Sequence, residues 1–332
     1  MNILFVCKAS VDIGFGHLIR SRTLAIALSN TYNDVNIDFN LVGNSTFSEL
    51  LRNVPFPINI VQSENEIILQ KDCNVVILDM LEAEKEFLQK VKKKSKILVS
   101  LSPVFNNFPF IDILFNRTKY LGKTEVPKFV YAGLEYSIVQ ENCKKISTAS
   151  YERNLQLEYF PIAISMGGGD AANRTLQCLK ELKKCKVPAT FWVLLGEGYQ
   201  HSYDELVAEI KRDTVHEVLL VKTNKNMWHI LSNCLLLTIL GGVTAYEAAY
   251  AGIPTLIYND KPDREFLVKE LVENNVAFDF SDWRKITKKI EELYSQKKEL
   301  LMMHIMSKDI IVNKAHMMIY EKLKEHLTDI ID

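Results

Sequence analysis

The sequence predicts an α/β protein built from two parallel-sheet domains. From residue 2 onward, short apolar, β-rich runs alternate with longer amphipathic stretches, which is typical of βα units on a parallel sheet. The chain has 332 residues, enough for about two domains of ordinary size. A polar stretch without apolar spacing, Glu141–Ala149, separates two series of such units, and we interpret it as the interdomain linker.

Composition and charge exclude several classes of protein. Hydrophobic residues make up 48% of the chain and charged residues 24%, so a sizeable core is expected and disorder as the main state is excluded. Lys plus Arg number 40 against 41 Asp plus Glu, a formal net charge of -1. A charge so evenly balanced gives no global electrostatic reason to bind nucleic acid or an anionic membrane, and we expect neither as a partner.

The first series of units is predicted over residues 1–140 as the N-terminal domain. Its strands are expected at Asn2–Cys7, Asn36–Val42, Ile58–Val61, Val75–Met80, Ile97–Leu101 and Ile113–Phe115. Helical patterns between them begin near His17, Ser45, Glu64 and Glu82.

The second series is predicted over residues 151–281 as the C-terminal domain, followed by a helical extension over residues 282–332. Its strands are expected at Tyr159–Met166, Ala189–Leu195, Glu217–Val221, Cys234–Leu240 and Thr255–Tyr258. Its helices are expected at Ala172–Cys185, Tyr203–Arg212, Met227–Ser232, Ala245–Tyr250 and Glu265–Glu273. Two similar βα halves favour a ligand in the cleft between them.

Cysteine usage and the N-terminus both point to a cytoplasmic protein. The six cysteines form no CxxC pair and no metal-ligand spacing with His, so we expect free or buried thiols. The opening run MNILFVC has neither a basic flank before it nor a small-residue cleavage site after it. The longest apolar stretch is far shorter than the ~20 residues of a membrane helix, so no transmembrane segment is expected.

The first motif is GFGH at residues 14–17, between a strand and a helix. Gly14 and Gly16 let the backbone approach a ligand closely, and the helix N-terminus offers N–H groups to an anion. His17 stands where a neutral imidazole can act as a general base. The alternative is a tight turn with a capping His, and the spacing alone does not separate the two. A dinucleotide fingerprint is excluded because its third glycine falls on Ile19.

The second motif is SMGGGD at residues 165–170, again between a strand and a helix. Consecutive glycines at Gly167 and Gly168 cost conformational entropy and contribute little to packing, so a backbone close to phosphate is the favoured explanation. Asp170 is interpreted as the N-cap of the following helix.

The third motif is GGVTAYE at residues 241–247, after a buried strand. The helix N-terminus at Gly242 and Thr244 is suited to a diphosphate, and Glu247 can accept hydrogen bonds from both hydroxyls of a ribose. The alternative is a capping box formed by Thr244 and Glu247, since T-x-x-E is that pattern. Both hypotheses stay open at this point.

Other residues predict no further chemistry. The sequence contains no HExxH, P-loop lysine, Gx[SC]xG elbow or EF-hand loop, so we expect no metal and no cofactor.

The order and spacing of the three motifs resemble the inverting GT-B sugar-nucleotide enzymes. Over about residues 2–280, GxGHxxR, SxGGxD and GGxTxxEAxxxGxP are similar to the pseudaminic-acid pathway UDP-sugar hydrolases and their spore-coat polysaccharide relatives. The lipid-II-forming N-acetylglucosaminyltransferases are more distant.

This resemblance implies a GT-B fold, two Rossmann-like domains facing a central cleft, with residues 1–140 on the sugar, acceptor or water side and residues 151–281 on the nucleotide side. It makes His17 the catalytic residue that positions or deprotonates the attacking water. Binding of the UDP-linked sugar is implied for Gly14, Gly16, Arg20, Gly167, Gly168, Gly242, Thr244, Glu247 and Asp263. The expected activity releases UDP and a free 2,4-diacetamido-2,4,6-trideoxy sugar.

The chain departs from the family pattern in three places. It has Lys8 and Asp12 where members usually have Arg and Asp before GxGH, Met80 where a Tyr often follows Asp79, and Asp263-Arg264 where an Asn-Gln pair is usual. Two alternatives to the hydrolase therefore stay open. One is an inverting glycosyltransferase with a UDP-sugar donor, and the other is a nucleotide-sugar-binding protein without turnover.

Overall fold

The computed structural model describes residues 1–44, 50–69, 73–104, 107–122, 126–212, 215–223, 227–259 and 261–329, with only the backbone at 262 and 263. Internal contacts divide the chain into two compact units. The first unit comprises residues 1–138 and 312–332, and the second comprises residues 139–311.

The first unit is built on a seven-stranded sheet in which every pairing is parallel, in the order β3-β2-β1-β4-β5-β6-β7. Its strands are β1 (Asn2–Ala9), β2 (Asn36–Gly43), β3 (Ile58–Val61), β4 (Val75–Asp79), β5 (Ile97–Ser100), β6 (Ile113–Asn116) and β7 (Phe129–Ala132). The strand order reverses between β1 and β4, and ligands of such sheets bind where the carboxyl ends flank that reversal.

Both faces of this sheet are buried, which explains the continuous apolar runs of its strands. In β1, Ile3 and Phe5 belong to one core cluster and Leu4 and Val6 to the other, as the two-residue period of a strand requires. The helices of this unit are α1 (Gly16–Thr31), α2 (Lys85–Lys94) and α11 (Ala315–Thr328), with short 3-10 turns at Glu64–Glu66, Phe108–Phe110 and Leu134–Tyr136.

The second unit contains a six-stranded sheet, also parallel throughout, in the order β10-β9-β8-β11-β12-β13. Its strands are β8 (Phe160–Ser165), β9 (Ala189–Leu195), β10 (Glu217–Lys222), β11 (Leu236–Leu240), β12 (Thr255–Tyr258) and β13 (Ala277–Phe280). The reversal here lies between β8 and β11, so each unit has a Rossmann-like topology.

The helices of the second unit precede and connect these strands and continue after the last of them. They are α3 (Thr148–Asn154), α4 (Arg174–Leu182), α5 (Tyr203–Lys211), α6 (Met227–Leu231), α7 (Val243–Ala251), α8 (Lys269–Glu273), α9 (Trp283–Ser295) and α10 (Lys297–Ile310), with a 3-10 helix at Pro262–Leu267. The expected fold class, α/β with two parallel-sheet domains, is therefore confirmed.

The structure corrects the predicted elements in four places. The sequence missed β7 and β13, which are four-residue strands at sheet edges whose side chains are mostly half-buried. The helix predicted near Glu64 is only a 3-10 turn, and the one predicted over Glu265–Glu273 is a 3-10 helix followed by α8. The helix predicted near Ser45 lies outside the described residues.

The C-terminal residues 282–332 are divided between the two units. In α10, the His304 ring stacks on Tyr151 at a centroid distance of 4.1 Å. In α11, Ile319 and Leu323 join the core of the first unit, and the Tyr320 hydroxyl donates to the carboxylate of Asp34 at 2.8 Å.

All six cysteines are free thiols. Across the described ranges, no helix has both the length and the apolar character needed to cross a membrane.

We predict that Gly43→Ala destabilises the first unit. Gly43 pairs with Ala9 at the ends of β2 and β1, and a Cβ there would overlap the carbonyl oxygen of Ala9. Because a backbone carbonyl in a parallel sheet cannot move far to relieve the overlap, the loss of unfolding free energy should be about 1–3 kcal/mol. Urea unfolding measures it, and Gly242→Ser is the matched control because a Cβ at Gly242 meets no atom within 4 Å. Equal stability of the two variants would contradict the predicted overlap.

Candidate functional site

The loop after β1 is shaped by Gly14. Its φ of +87° lies in the left-handed region that favours glycine, and its N–H donates to the Ser10 carbonyl at 2.8 Å. Ser10 and Gly14 form an isolated β-bridge, so the loop closes on itself directly before α1. Helix α1 then begins at Gly16, which places His17 in its first turn at the carboxyl end of β1.

His17 is hydrogen-bonded to Asp79, the last residue of β4. The distance from His17 Nδ1 to Asp79 Oδ1 is 2.6 Å, and the carboxylate is fully buried while 14% of the His17 side chain is exposed. Because β4 is the neighbour of β1 at the strand-order reversal, this pair stands at the position where a Rossmann-like sheet binds its ligand.

Three more side chains hold the Asp79 carboxylate. Arg20, one turn further along α1, donates from Nε to Oδ2 at 2.8 Å and from its terminal nitrogen to Oδ1. The Ser21 hydroxyl donates to Oδ2 at 3.2 Å, and the Ser102 hydroxyl donates to Oδ1 at 3.1 Å. A charge buried this deeply is tolerated because it is paired and its oxygens are hydrogen-bonded.

These neighbours keep Asp79 ionised. Burial by itself raises the pKa of Asp79, but the charges of Arg20 and His17 and their hydrogen bonds outweigh it and hold that pKa well below its ordinary value. The same environment acts in the opposite direction on Cys7, whose thiol pKa is raised by burial and by the charge of Asp79.

An ionised Asp79 fixes the tautomer of His17. A carboxylate only accepts hydrogen bonds, so Nδ1 carries the proton and donates it, and in the neutral imidazole the lone pair is therefore on Nε2. Arg20 also lies 3.4 Å from Nδ1, but both groups are donors and share Asp79 Oδ1. The arrangement is that of a His general base oriented by a buried carboxylate.

Arg20 is only 5% exposed, and its contacts with Asp79 give it the role of counter-ion. The substrate contact predicted for Arg20 stays a prediction, since this geometry directs the guanidinium into the protein.

In the second unit, the loop after β8 is also opened by a left-handed glycine. Gly167 has φ +88° and a Cβ there meets no atom within 4 Å, whereas Gly168 packs against Gly196 so closely that a Cβ on Gly196 would overlap the Gly168 backbone. The Gly168 carbonyl accepts from the Gly198 N–H at 3.0 Å. The loop therefore has a fixed path at the carboxyl end of β8.

The N-cap position of α4 is taken by Asn173 and not by Asp170 as predicted, but the Asp170 side chain binds the first amides of the helix from three residues further back. Its carboxylate accepts from the backbone N–H groups of Arg174 at 2.7 Å and Thr175 at 2.9 Å. These two amides are therefore occupied, so an anion at this loop would meet the amides of the glycine segment before α4.

Helix α7 begins differently from the predicted capping box. Its N-cap is Gly242, no side chain caps it, and Thr244 is already its second residue. A capping box of Thr244 and Glu247 is therefore wrong. Because β11 neighbours β8, Gly242 and Thr244 lie at the same edge of the sheet as the Gly167–Gly168 loop.

Glu247 is buried with only 1% exposure. Its carboxylate accepts from the backbone N–H of Gln140 at 3.1 Å and from the Gln140 side-chain amide at 3.2 Å. The Cys143 thiol donates to the Glu247 carbonyl at 3.3 Å. Glu247 thus ties residues 140–143 to α7, and its predicted ribose contact stays a prediction.

The structure brings together some predicted site residues and adds others. Gly14, Gly16, His17 and Arg20 lie at the β1/β4 reversal, and Gly167, Gly168, Gly242 and Thr244 lie at the β8/β11 reversal. The residues that sequence reasoning missed are Asp79, Ser102 and Gln140. Of these, only Asp79 could have been found from the sequence, because an acidic residue at the end of the strand beside β1 is a candidate site residue.

Met80, at the position where the sequence departs from the family pattern, is buried in the core. Of Asp263, only the backbone is described, within the 3-10 helix Pro262–Leu267. The described part of the chain contains no group of three or more His, Cys, Asp or Glu side chains that could hold a metal ion.

Part of the second unit matches the model of a known protein family. Residues 169–309, which are 141 of the 332 residues, match the family model of the glycosyl transferases group 1. The match spans β9 to β13 and begins at the last glycine of the loop after β8, so it leaves out Gly167 and Gly168. It confirms the expectation that the chain is an enzyme and disfavours a binding protein without turnover.

Two curated relatives align with the chain. The uncharacterized protein MJ1062 of Methanocaldococcus jannaschii is 27% identical over 280 residues, 80% of this chain, and the chain spans 57% of that protein's length. The UDP-2,4-diacetamido-2,4,6-trideoxy-beta-L-altropyranose hydrolase of Campylobacter jejuni is 26% identical over 200 residues, 56% of this chain and 68% of the hydrolase.

Solved structures share the fold over the full length. MurG of Acinetobacter baumannii superposes with a TM-score of 0.68 at 13% identity, covering 98% of this chain and 100% of MurG. Alr3699/HepE of Anabaena, solved in complex with UDP, gives 0.66 at 17% identity, covering 98% and 100%. The chain therefore has the GT-B fold of two Rossmann-like domains.

We predict that Asp79→Asn lowers stability in a pH-dependent way. The variant leaves Arg20 buried without its counter-charge, so at pH 7 the loss of unfolding free energy should be about 3–5 kcal/mol. Because the folded-state pKa of Asp79 is depressed, its contribution is fully present above the unfolded pKa of ~3.9 and is lost as the pH falls below it. The stability gap between wild type and variant should therefore shrink in acid.

Urea unfolding at neutral and acid pH measures this gap. Asp309→Asn is the matched control, since Asp309 is an exposed carboxylate on α10, so its stability should change little. If Asp79→Asn does not fold, Ser102→Ala serves instead. It removes one hydrogen bond to the same carboxylate and should lower the free energy of unfolding by about 1 kcal/mol. A gap that stays constant with pH would contradict the ionised, buried Asp79.

Proposed function

We propose that this chain is a nucleotide-sugar hydrolase that takes a UDP-linked 2,4-diacetamido-2,4,6-trideoxy-hexose and releases UDP and the free sugar. His17 acts as the general base on water, and glycine-opened backbone in the second unit holds the diphosphate. The single observation that carries the proposal is the hydrogen bond between His17 Nδ1 and the buried carboxylate of Asp79.

The base chemistry follows from that bond. With its proton on Nδ1, His17 presents the Nε2 lone pair to a water molecule that attacks the anomeric carbon. The water proton moves to Nε2 as the new C–O bond forms and the bond to the diphosphate oxygen breaks. Asp79 stabilises the imidazolium that results, and Arg20 balances the Asp79 charge in the resting state.

The leaving diphosphate is assigned to the helix and loop at the β8/β11 reversal. The first-turn N–H groups of α7 have no side-chain cap, and the positive end of the helix dipole favours an anion there. Gly242 itself supports this assignment. Its backbone is extended, at φ −143° and ψ −157°, and a Cβ would meet no described atom within 4 Å, so neither the backbone conformation nor the space in the described structure requires glycine there.

Nucleotide recognition is proposed through Thr244 and Glu247. The Thr244 hydroxyl lies in the first turn of α7, beside the proposed phosphates. For Glu247 to accept both ribose hydroxyls, its carboxylate must exchange its bonds with Gln140 for bonds with the sugar. UDP is the proposed nucleotide because the Campylobacter relative hydrolyses a UDP-sugar by name and the Anabaena structure contains UDP.

A second candidate is an inverting glycosyltransferase with a UDP-sugar donor. It is favoured by the match of residues 169–309 to the glycosyl transferases group 1. In this case His17 removes the proton from an acceptor hydroxyl instead of from water, and the donor side of the site is unchanged.

We predict that incubation with the UDP-linked diacetamido-trideoxyhexose releases UDP without any acceptor, and that His17→Ala abolishes this release. The variant loses the base but none of the groups proposed to hold UDP, so its UDP affinity should stay within about tenfold, or 1.4 kcal/mol. Coupled detection of UDP measures turnover, and calorimetry measures affinity.

The outcomes separate the candidates. UDP release that begins only when an acceptor is added selects the transferase. Release that is undiminished in His17→Ala would remove His17 from the mechanism. Loss of both turnover and UDP affinity would make His17 a structural residue of the first unit.

We also predict that Gly242→Ser weakens UDP binding without destabilising the fold. A serine at the N-cap accepts hydrogen bonds from the same amides that the diphosphate needs, and it should leave stability unchanged or raise it by up to about 1 kcal/mol. The affinity for UDP should fall by about tenfold or more, as measured by calorimetry. Unchanged affinity would place the diphosphate elsewhere.

A further inference from the structure

A pocket opens at the surface of the second unit, away from the glycine loops. Its volume is about 670 Å³. It lies between the segment leading into α3, α3 itself and the turn after α6, and its polar lining includes Lys144, Lys145, Ser147, Arg153 and Asn233.

This pocket lies near the amino ends of the strands, whereas the proposed diphosphate site lies at their carboxyl ends. Its lining includes Leu157, before the start of β8, and Asn233, before the start of β11. Gly167 and Gly242 follow the ends of these same two strands. Since β8 has six residues and a strand rises ~3.3 Å per residue, the two sites are separated by roughly 17–20 Å.

The charge of the pocket selects anions. Three of its lining residues are cationic, namely Lys144, Lys145 and Arg153, and no carboxylate belongs to the part of the lining that the structure describes. Guanidinium and ammonium groups form their strongest hydrogen bonds with phosphate and carboxylate oxygens, and Arg does so with two parallel bonds.

Several of these groups are already held in place. The Ser147 hydroxyl donates to the Ser150 hydroxyl at 2.8 Å, and the Arg153 guanidinium donates to the same oxygen at 3.0 Å. The Lys145 ammonium donates to the Lys308 carbonyl and lies 5.4 Å from the centre of the Tyr250 ring. Side chains ordered in advance lose less entropy when a ligand binds.

We propose that this pocket is a second binding site for a phosphorylated sugar-sized molecule. Arg153 and Lys144 would hold the phosphate, while hydroxyl and amide groups such as Ser147 and Asn233 match the hydroxyls of the sugar. The volume falls within the ~300–1,000 Å³ of small-molecule sites. The site is independent of the proposed hydrolase or transferase activity.

The first test titrates the full chain with glucose 6-phosphate, inorganic phosphate and glucose by calorimetry, with and without saturating UDP. Glucose 6-phosphate should bind saturably and about fivefold or more tighter than phosphate, glucose should give no signal, and UDP should change none of these results. Displacement of glucose 6-phosphate by UDP would overturn the proposal, because the probe would then occupy the site of the nucleotide.

The second test uses variants. Arg153→Gln combined with Lys144→Gln should weaken glucose 6-phosphate binding by about tenfold or more. Arg212→Gln is the matched control, since Arg212 is a strongly exposed cation of the same unit outside the pocket, and its affinity should equal that of wild type. Both pocket residues are exposed, so the double variant should keep the wild-type unfolding midpoint.

Two further results would overturn the proposal. One is equal binding in the double variant and in wild type. The other is sedimentation with phosphatidylglycerol vesicles that depends on Arg153 while glucose 6-phosphate gives no response, because the anion recognised would then be a lipid headgroup.

Discussion

The buried carboxylate of Asp79 is the constraint on which the first unit's site depends. A fully buried ion must be paired and hydrogen-bonded, or it costs several kcal/mol. Here two residues from the first turns of α1, His17 and Arg20, meet that requirement together with Ser21 and Ser102. The contact that seats α1 against β4 is therefore the same one that orients the imidazole, so stability and proposed catalysis rest on one group.

In the second unit the groups proposed to bind the ligand are mainly backbone amides, whereas in the first unit the proposed catalytic groups are side chains. Both sheets reverse their strand order, at β1/β4 and at β8/β11, and so both open a crevice at their carboxyl ends. Helix α7 is anchored along its length, by the Gln140 contact with Glu247 and by the His304 contact with the Gly252 carbonyl at 2.6 Å. These hydrogen bonds hold the helix in place, although no side chain among the described residues caps its N-terminus.

Much of the fold was predictable because a parallel sheet buried on both faces imposes apolar runs on its strands. Every strand with such a run was placed to within about two residues. The strands that escaped, Phe129–Ala132 and Ala277–Phe280, have only four residues each, and the period of so short a run does not identify a strand by itself. The error near Glu64 is of the opposite kind, because a helix was predicted there and the structure has only the 3-10 turn Glu64–Glu66.

Within the site, what could be predicted depends on the distance along the chain between partners. Glycine loops and a following helix are local, so the motifs at residues 14–17, 165–170 and 241–247 were found from the sequence. Asp79 is 62 positions from His17 and Gln140 is 107 from Glu247, and such pairings arise only from the tertiary fold. Arg20 shows the consequence. The resemblance predicts a substrate contact for it, which stays a prediction, whereas its pairing with the buried Asp79 carboxylate could be seen only in the fold.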